Sequence, residues 1–360
     1  MTVHSAAVKT TIRALLTGLL CLVSLSAAAV ELDDLYEAQV SVNSQAQAER
    51  QRALEQVFEQ MVVKVTGNSG VLSEDAVKRA KGQVSDYLVQ YGYRNENSQQ
   101  WLWASFDESK VNSLLRTIDA PIWGNRRPRL MVWMAQEQND GTRDIIASDS
   151  TTVMKQQLLN RARERGVPVA LPLMDLTDRM RVSVTDVWGR FEQPLQRAAQ
   201  RYTADGLLMT RVYRSTDPDT NGDWVFEWQA IVGNERVYGR EVGNDPALMA
   251  APLVDSVAEK LAELYGIRSS DAESDALTIR VLQLNSIDSV LSVEKFLASL
   301  SIVKQVDLLE FGDGKAEFTL QLHGDAKRAQ QTISLDRRMQ IINDNPFAAV
   351  ASVPEYQWQN

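Results

Sequence analysis

"YEAQVSVNSQAQAERQRALEQVFEQMVVKVTGN", residues 36–68, changes its hydrophobic period partway along, and that change decides the fold. At its start Tyr36, Ala38, Val40 and Val42 alternate with Glu37, Gln39 and Ser41, the period of a strand with one buried face. From about Ala46 the apolar positions become Leu54, Val57, Phe58, Met61, Val62 and Val65, which is helical spacing, and Gly67 stands where that helix would stop. A shorter helix follows Ser73. "YLVQYGYR" and "WLWASFD" then read as paired strands around the polar turn "NENSQ", and Asp107 caps a helix carrying Val111, Leu114, Leu115 and Ile118. Residues 30–120 are therefore an N-terminal α/β module of order strand, helix, strand, strand, helix.

The same order recurs near the other end, over 276–342. "LTIRVLQL" is a strand with Leu277, Ile279 and Val281 on one face, and Val290, Val293, Phe296, Leu297 and Leu300 mark a helix. "VKQVDLLEF" and "KAEFTLQL" flank the turn "GDG", and "DAKRAQQTISLDRRMQII" reads as helix. The residues of the two modules do not match, so the repeat is one of pattern. Residues 343–360 show no periodicity and are expected to form a flexible tail, in which Tyr356 and Trp358 are aromatics of the kind that dock in a partner's groove.

Between the modules, after "DAPIWGNRRPR" (119–129) and before the polar linker "RSSDAESD" (268–275), lies a central domain over 128–267. "LMVWMA" is apolar throughout, as in a strand covered on both faces. A helix from Thr152 with Met154, Leu158, Leu159 and Ala162 stops at Gly166, "VPVALPL" is a second apolar strand, and Phe191 to Tyr202 a further helix. "GLLMTRVYR", "WVFEWQAIVG" and "ERVYGREV" follow as strands, and an amphipathic helix with Leu248, Val254, Val257, Ala258, Leu261 and Leu264 closes the domain. The expected class is α/β (α+β), with small modules flanking a central α/β sandwich built on a mixed sheet.

Residues 1–29 read as a signal peptide. Lys9 and Arg13 precede the apolar run "ALLTGLLCLVSLS" (14–26), and Ala27 and Ala29 give a small-residue cleavage pattern before Val30. The run is short for a membrane span, and Leu20 before Cys21 argues against a lipoprotein. Cleavage removes Cys21 and His4, leaving no cysteine and one histidine, His323. Loss of Lys9 and Arg13 takes the formal charge from −9 to −11. An acidic chain is a poor partner for nucleic acid, and no second apolar run suggests a span. Zinc, thiol and cysteine-nucleophile chemistry lack their residues; no G-x-S-x-G elbow or phosphate-binding glycine loop occurs, and no cofactor is implied.

The candidate sites are few. "DPDTNGDW" sets Asp217, Asp219 and Asn221 at alternate positions before Gly222, as a calcium loop does, but the twelfth position is Trp228 and the flanks are strands, so a hairpin turn is the better reading. Asp175 and Asp178 follow an apolar strand and, with Glu137 and Asp140 after "LMVWMA", are the residues to examine for carboxylate chemistry; helix capping is the plainer role. Arg126, Arg127 and Arg129 in "NRRPR" are a basic cluster suited to a phosphate, a lipid head group or an acidic patch, though their place at a domain boundary favours internal pairing. His323 stands beside a turn, without the companions a triad or metal site needs.

The strings "YEAQVSVNSQAQAERQRALEQVFEQMVVKVTGN", "RPRLMVWMA", "ARERGVPVALPLMDLTD" and "ADGLLMTRVY" together resemble the secreted bacterial family known as domain of unknown function 2066. The likeness runs through about Ile267, with "RGVPVALPLMDLTD" its most specific part, and leaves the C-terminal block outside. It implies a Gram-negative envelope protein and brings no catalytic residues with it. The expected function is a periplasmic, non-enzymatic binding or adaptor component with an envelope protein as partner. The alternative is a carboxylate-dependent hydrolase acting on an envelope glycan.

Overall fold

The computed structural model describes residues 32–96, 98–217, 222–271, 276–336, 338–343 and 353–359. The leader 1–29, and Asp219 and Asn221 of the calcium-like loop, fall outside them.

The first module comprises β1 (Glu37–Val42), α1 (Gln47–Thr66), α2 (Asp75–Gly82), β2 (Leu88–Glu96), β3 (Gln99–Phe106) and α3 (Glu108–Thr117). Its sheet has the order β1-β3-β2, antiparallel throughout. Val40 and Tyr93 both lie opposite Leu102, so these three share the face on which α1 packs Val57, Phe58, Met61, Val62 and Val65. Each such buried side chain contributes on the order of 1.5–3 kcal/mol. The Asp107 carboxylate accepts from the Lys110 amide at 3.0 Å and caps α3 as the sequence predicts. Gly67 ends α1 at φ 63°, and its amide donates to Val63 O at 2.8 Å. A Cβ on Gly67 would stand 2.3 Å from Ala262 Cβ, so only glycine lets α1 end against the central domain.

That domain contains β4 (Leu130–Glu137), β5 (Arg143–Ile145), α4 (Val153–Glu164), β6 (Val169–Ala170), α5 (Leu176–Arg181), α6 (Val184–Trp188) and α7 (Glu192–Ala199), followed by β7 (Gly206–Arg214), β8 (Trp224–Val232), β9 (Glu235–Gly243) and α8 (Ala250–Tyr265). The sheet runs β5-β4-β7-β8-β9 with β6 beside β4; β4 is parallel to β6 and β7, and the other pairs are antiparallel. "LMVWMA" is buried on both faces: Leu130, Val132 and Met134 meet α4 and α8, while Met131, Trp133 and Ala135 meet α6 and α7. "VPVALPL" shrinks to a two-residue strand, because Pro168 and Pro172 lack the amide a ladder needs.

The last module comprises β10 (Ala276–Leu282), α9 (Ile287–Ala298), β11 (Val303–Gly312), β12 (Lys315–Leu322), α10 (Ala326–Ser334), β13 (Met339–Asn343) and β14 (Glu355–Trp358), in a sheet ordered β11-β12-β10-β14-β13. Two expectations are corrected here. The helix predicted through "DAKRAQQTISLDRRMQII" stops at Ser334, because Asp336 accepts from the Arg338 amide and side chain and turns the chain into β13. The tail is not a flexible end over 355–358: β14 lies parallel to β10, Tyr356 and Trp358 are buried in the module's core, and Trp358 packs on Phe296 with ring centroids 5.7 Å apart. Both aromatics therefore complete this chain's own fold rather than wait for a partner.

The segment 119–129 joins all three parts. Ile122 and Ile267 exchange backbone hydrogen bonds of 2.9 and 3.0 Å, and the Trp123 amide donates to Val65 O at 2.9 Å. Arg127, 2 % exposed, places all five of its N–H groups on main-chain carbonyls. Nε reaches Gly124 O at 3.0 Å, Nη1 reaches Arg165 O at 2.9 Å and Gly166 O at 3.0 Å, and Nη2 reaches Lys64 O at 2.6 Å and Trp123 O at 2.9 Å. Its guanidinium carbon lies 3.9 Å from the Trp123 ring centroid. Burial and the nearby Arg165 draw its pKa down to about 9, which leaves it cationic at neutral pH. Arg126 pairs with buried Asp336 of the last module and stacks on Phe296. Replacing Arg127 with Met should cost roughly 3–5 kcal/mol, since five carbonyls lose a charged donor in a site closed to water, whereas Arg129→Ala should cost less than about 1 kcal/mol; urea-unfolding midpoints measure both.

Candidate functional site

Alternation in β1–β3 sends one set of side chains to the core and the other outward. With Leu102, Ala104 and Phe106 inward, Trp101 and Trp103 must face away from α1. Register then builds a patch: Gln39 and Gly92 lie opposite Trp103, and Ser41 and Arg94 lie opposite Trp101. Gly92 is the seat of one indole, since a Cβ there would come within 2.8 Å of Trp103 Nε1. The Arg94 guanidinium carbon sits 4.9 Å from the Trp103 ring centroid.

α4 stands across from this face, and the two enclose a groove of about 580 Å³. Asn160 and Arg163 come from the helix, Gln39 and the two tryptophans from the sheet, and Gln60 from α1. Three of its charges are already paired: Lys64 with Asp34 at 3.0 Å, and Glu164 with Arg161 at 2.8 Å. The side chains of Gln39, Gln60, Asn160 and Arg163 make no hydrogen bond or ion pair with any described residue. Two indoles beside solvent-facing amides and a guanidinium in a concave groove are the mix of apolar faces and polar groups that a recognition site uses. The signal lay in "WLWASF", where the inward set is complete without either tryptophan.

The acids singled out from the sequence are engaged elsewhere and fall into separate groups. Asp175 caps α5 by accepting from the Asp178 amide at 3.0 Å. Arg201 grips its carboxylate with two bonds of 2.8 Å and also reaches Asp178 Oδ1 at 3.0 Å. Asp178 is 0 % exposed and accepts further from the Met174 amide at 3.0 Å and from the Tyr202 hydroxyl. The Arg201 hydrogen bonds, helped by the Asp178 amide, hold the Asp175 carboxyl well below the usual carboxylate range. Burial and the bond to Asp178 push the Tyr202 phenol up to about 12. Glu137 instead pairs with Arg143 across β4–β5 at 3.0 Å, and Asp140 accepts from Thr142 in the turn between them.

The other candidates are structural or lie apart. Arg126 and Arg127 are buried and bind their own chain; Arg129 donates from its amide to Asp205 at 2.8 Å and from its side chain to Thr203 at 3.3 Å. Asp217 opens the β7–β8 connection, where Arg214 pairs with Trp224 in an antiparallel ladder, which fits a hairpin. His323 borders a second cavity of about 360 Å³ with Glu108 and Arg116. Burial, Arg116 and Lys304 all lower its pKa, so its ring is neutral at pH 7.

Two family models match the chain. Residues 29–124 match Domain of unknown function (DUF8605), and residues 276–360 match DUF2066. The DUF2066 match thus falls on the last module, not on the strings up to Ile267 that suggested the family, and the groove's sheet lies within the DUF8605 match. No curated protein and no solved structure matches. Among the described residues, no helix is long and apolar enough to cross a membrane.

The Asp175–Arg201 pair has a pH signature. A carboxyl whose pKa is depressed by folding stabilises the native state above its ordinary value of 3.8, and that stabilisation is lost as pH falls below it. The gap in urea midpoint between wild type and Asp175→Asn should therefore be constant at neutral pH and shrink on acidification; a gap unchanged down to about pH 3 contradicts the pairing.

Proposed function

We propose that the protein, whose last module is a DUF2066 segment, is an exported periplasmic binding component of the Gram-negative cell envelope, working as an adaptor through the groove between its first sheet and α4. The observation that carries the reading is the pair Trp101 and Trp103 facing a groove edged with unengaged polar side chains. The leader-like 1–29 supports export, and the acidic, cysteine-free remainder suits an oxidising compartment without needing disulfides.

The hydrolase alternative is the weaker reading. A two-carboxylate mechanism requires one acid that holds a proton near neutral pH. Asp175 is driven the other way by Arg201, which binds Asp178 as well. Both acids serve the α5 turn.

Photo-crosslinking in living cells tests the adaptor. A photoreactive residue at position 39 or 160 should give crosslinked species in the osmotic-shock fraction, and these should vanish in a Trp103→Ala background. The same residue at position 310, exposed on β11, is the control. Adducts equal to that control, or indifferent to Trp103, would defeat the reading, and so would recovery of the protein only from the cytoplasm.

A further inference from the structure

We propose that the groove binds an oligosaccharide, and that its preferred form is a flat, β-linked chain stacked on Trp101 and Trp103. The proposal rests on the groove being a recognition site and names its ligand class. Four features point to a sugar.

The first is the tryptophan pair. Residues two apart on one strand are about 7 Å apart on the same face. Two indoles so placed make a short linear aromatic track, with the Arg94 guanidinium beside the Trp103 ring as a donor to the rim of a stacked sugar. A pyranose ring whose substituents are equatorial has apolar C–H faces and a polar rim, and it lies flat on an indole as an offset-stacked ring does. An extended β-linked chain presents such faces in a row, whereas an α-linked chain curls away from a flat sheet.

The second is the rim. Gln39, Gln60 and Asn160 each offer an amide donor and acceptor together, which is the pattern that pairs with neighbouring hydroxyls. Their side chains have no protein partner among the described residues, so a ligand would displace water rather than break a bond within the protein.

The third is charge. With Lys64–Asp34 and Glu164–Arg161 already paired, the remaining charged side chains lining the groove are Glu37 and Glu96 against Arg94 and Arg163. Because Arg161 also holds Asp255, the lining keeps at most a slight negative excess and no strong field of either sign. Single-stranded nucleic acid, which also stacks on aromatics, needs a basic channel, and a strongly basic or acidic peptide needs a one-sided field. A neutral polyol needs neither.

The fourth is rigidity. The α1 and α4 ends that border the groove are both tied to Arg127, so the walls are set before a ligand arrives. Preorganisation matters most for sugars, whose many weak polar contacts are otherwise offset by ordering costs.

The test uses the purified exported chain. Calorimetry and intrinsic tryptophan fluorescence are recorded with the β-1,4-linked tetramer of N-acetylglucosamine, with an α-1,4-linked glucose tetramer, with a thymidine oligonucleotide and with a polylysine peptide. The β-linked tetramer should bind saturably and shift the emission, and the other three should bind at least roughly tenfold more weakly. Trp103→Ala should weaken the β-linked tetramer by roughly tenfold or more with an unchanged thermal midpoint, because Trp103 lies outside the hydrophobic core. Arg163→Glu on the opposite wall should also weaken it, which guards against a folding defect at Trp103. Absence of binding by either sugar overturns the proposal; if the Trp103-dependent crosslinks persist in cells, the adaptor reading survives that result, and if they too are missing both fail. Preference for the oligonucleotide or the peptide, or full affinity in Trp103→Ala, also overturns it.

Discussion

One guanidinium sets the geometry on which the rest relies. Arg127 meets the C-terminal ends of two helices from different parts of the chain, α1 through Lys64 O and α4 through Arg165 O and Gly166 O. Helix C-termini carry unpaired carbonyls and the negative end of the dipole, so a buried cation there answers a demand that each helix would otherwise direct at water. Arg165 returns the favour by donating to Gly67 O at 2.9 Å, just beyond α1. The joining segment thus caps both helices, and the central domain adds a second donor beyond the end of α1. Glycine is required at both ends: Gly67 and Gly166 have φ of 63° and 61°, and a Cβ on Gly166 would lie 2.7 Å from Arg127 Nη1.

This capping fixes the groove indirectly. Lys64 lines it from the last turn of α1, and Asn160 and Arg163 line it from the last turns of α4. Those turns are the ones whose carbonyls converge on Arg127. The position of the sheet face relative to α4 is therefore a consequence of a hydrogen-bonded hub about one helix turn away, and not of contacts across the groove itself. A recognition site built this way can keep its walls polar, because they are not asked to hold the fold together.

Much of this architecture is legible in the sequence, and the failures have physical causes. Period-two and period-3.6 patterns report which face of an element is buried, and they placed β1, α1, β4 and β10 within a residue or two. They are silent where burial does not follow hydrophobicity. "NRRPR" reads as a basic patch because charge normally marks surface, yet Arg126 and Arg127 are interior; nothing local says that two helices end there. β14 was missed for a different reason: a four-residue strand shows only Tyr356 and Trp358 as alternation, too short a run to rise above an aperiodic background. For the acids the local rule sufficed, since Asp175 caps the helix that follows it. Alternation in "WLWASF" shows the outward set, Trp101 and Trp103, as plainly as the inward one, but it does not say what that outward face meets.

Comparison of the two end modules shows that Trp101 and Trp103 are not demanded by the fold. Both modules place their first and second strands on either side of the third, β1-β3-β2 in one and β10-β12-β11 in the other, all antiparallel. Their inward faces are alike, with Val40 opposite Leu102 in one and Ile279 opposite Phe318 in the other. Their outward faces differ. In the last module Thr278 meets Thr319 at 3.2 Å, and Arg280 joins Glu317 and Glu355 at 2.9 and 2.7 Å, so polar side chains answer one another within the sheet. Strand β14 also covers the free edge of β10, whereas β1 remains an edge strand. The corresponding face of the first module carries two indoles, a glycine seat and amides without partners. The same three-strand arrangement carries a self-paired polar outer face in the last module, so the topology by itself does not call for two indoles there. Cross-strand pairing of the kind seen at Arg280 is worth roughly 0.2–1 kcal/mol; on the face toward α4 the first module replaces such ion pairs with the Arg94–Trp103 stack.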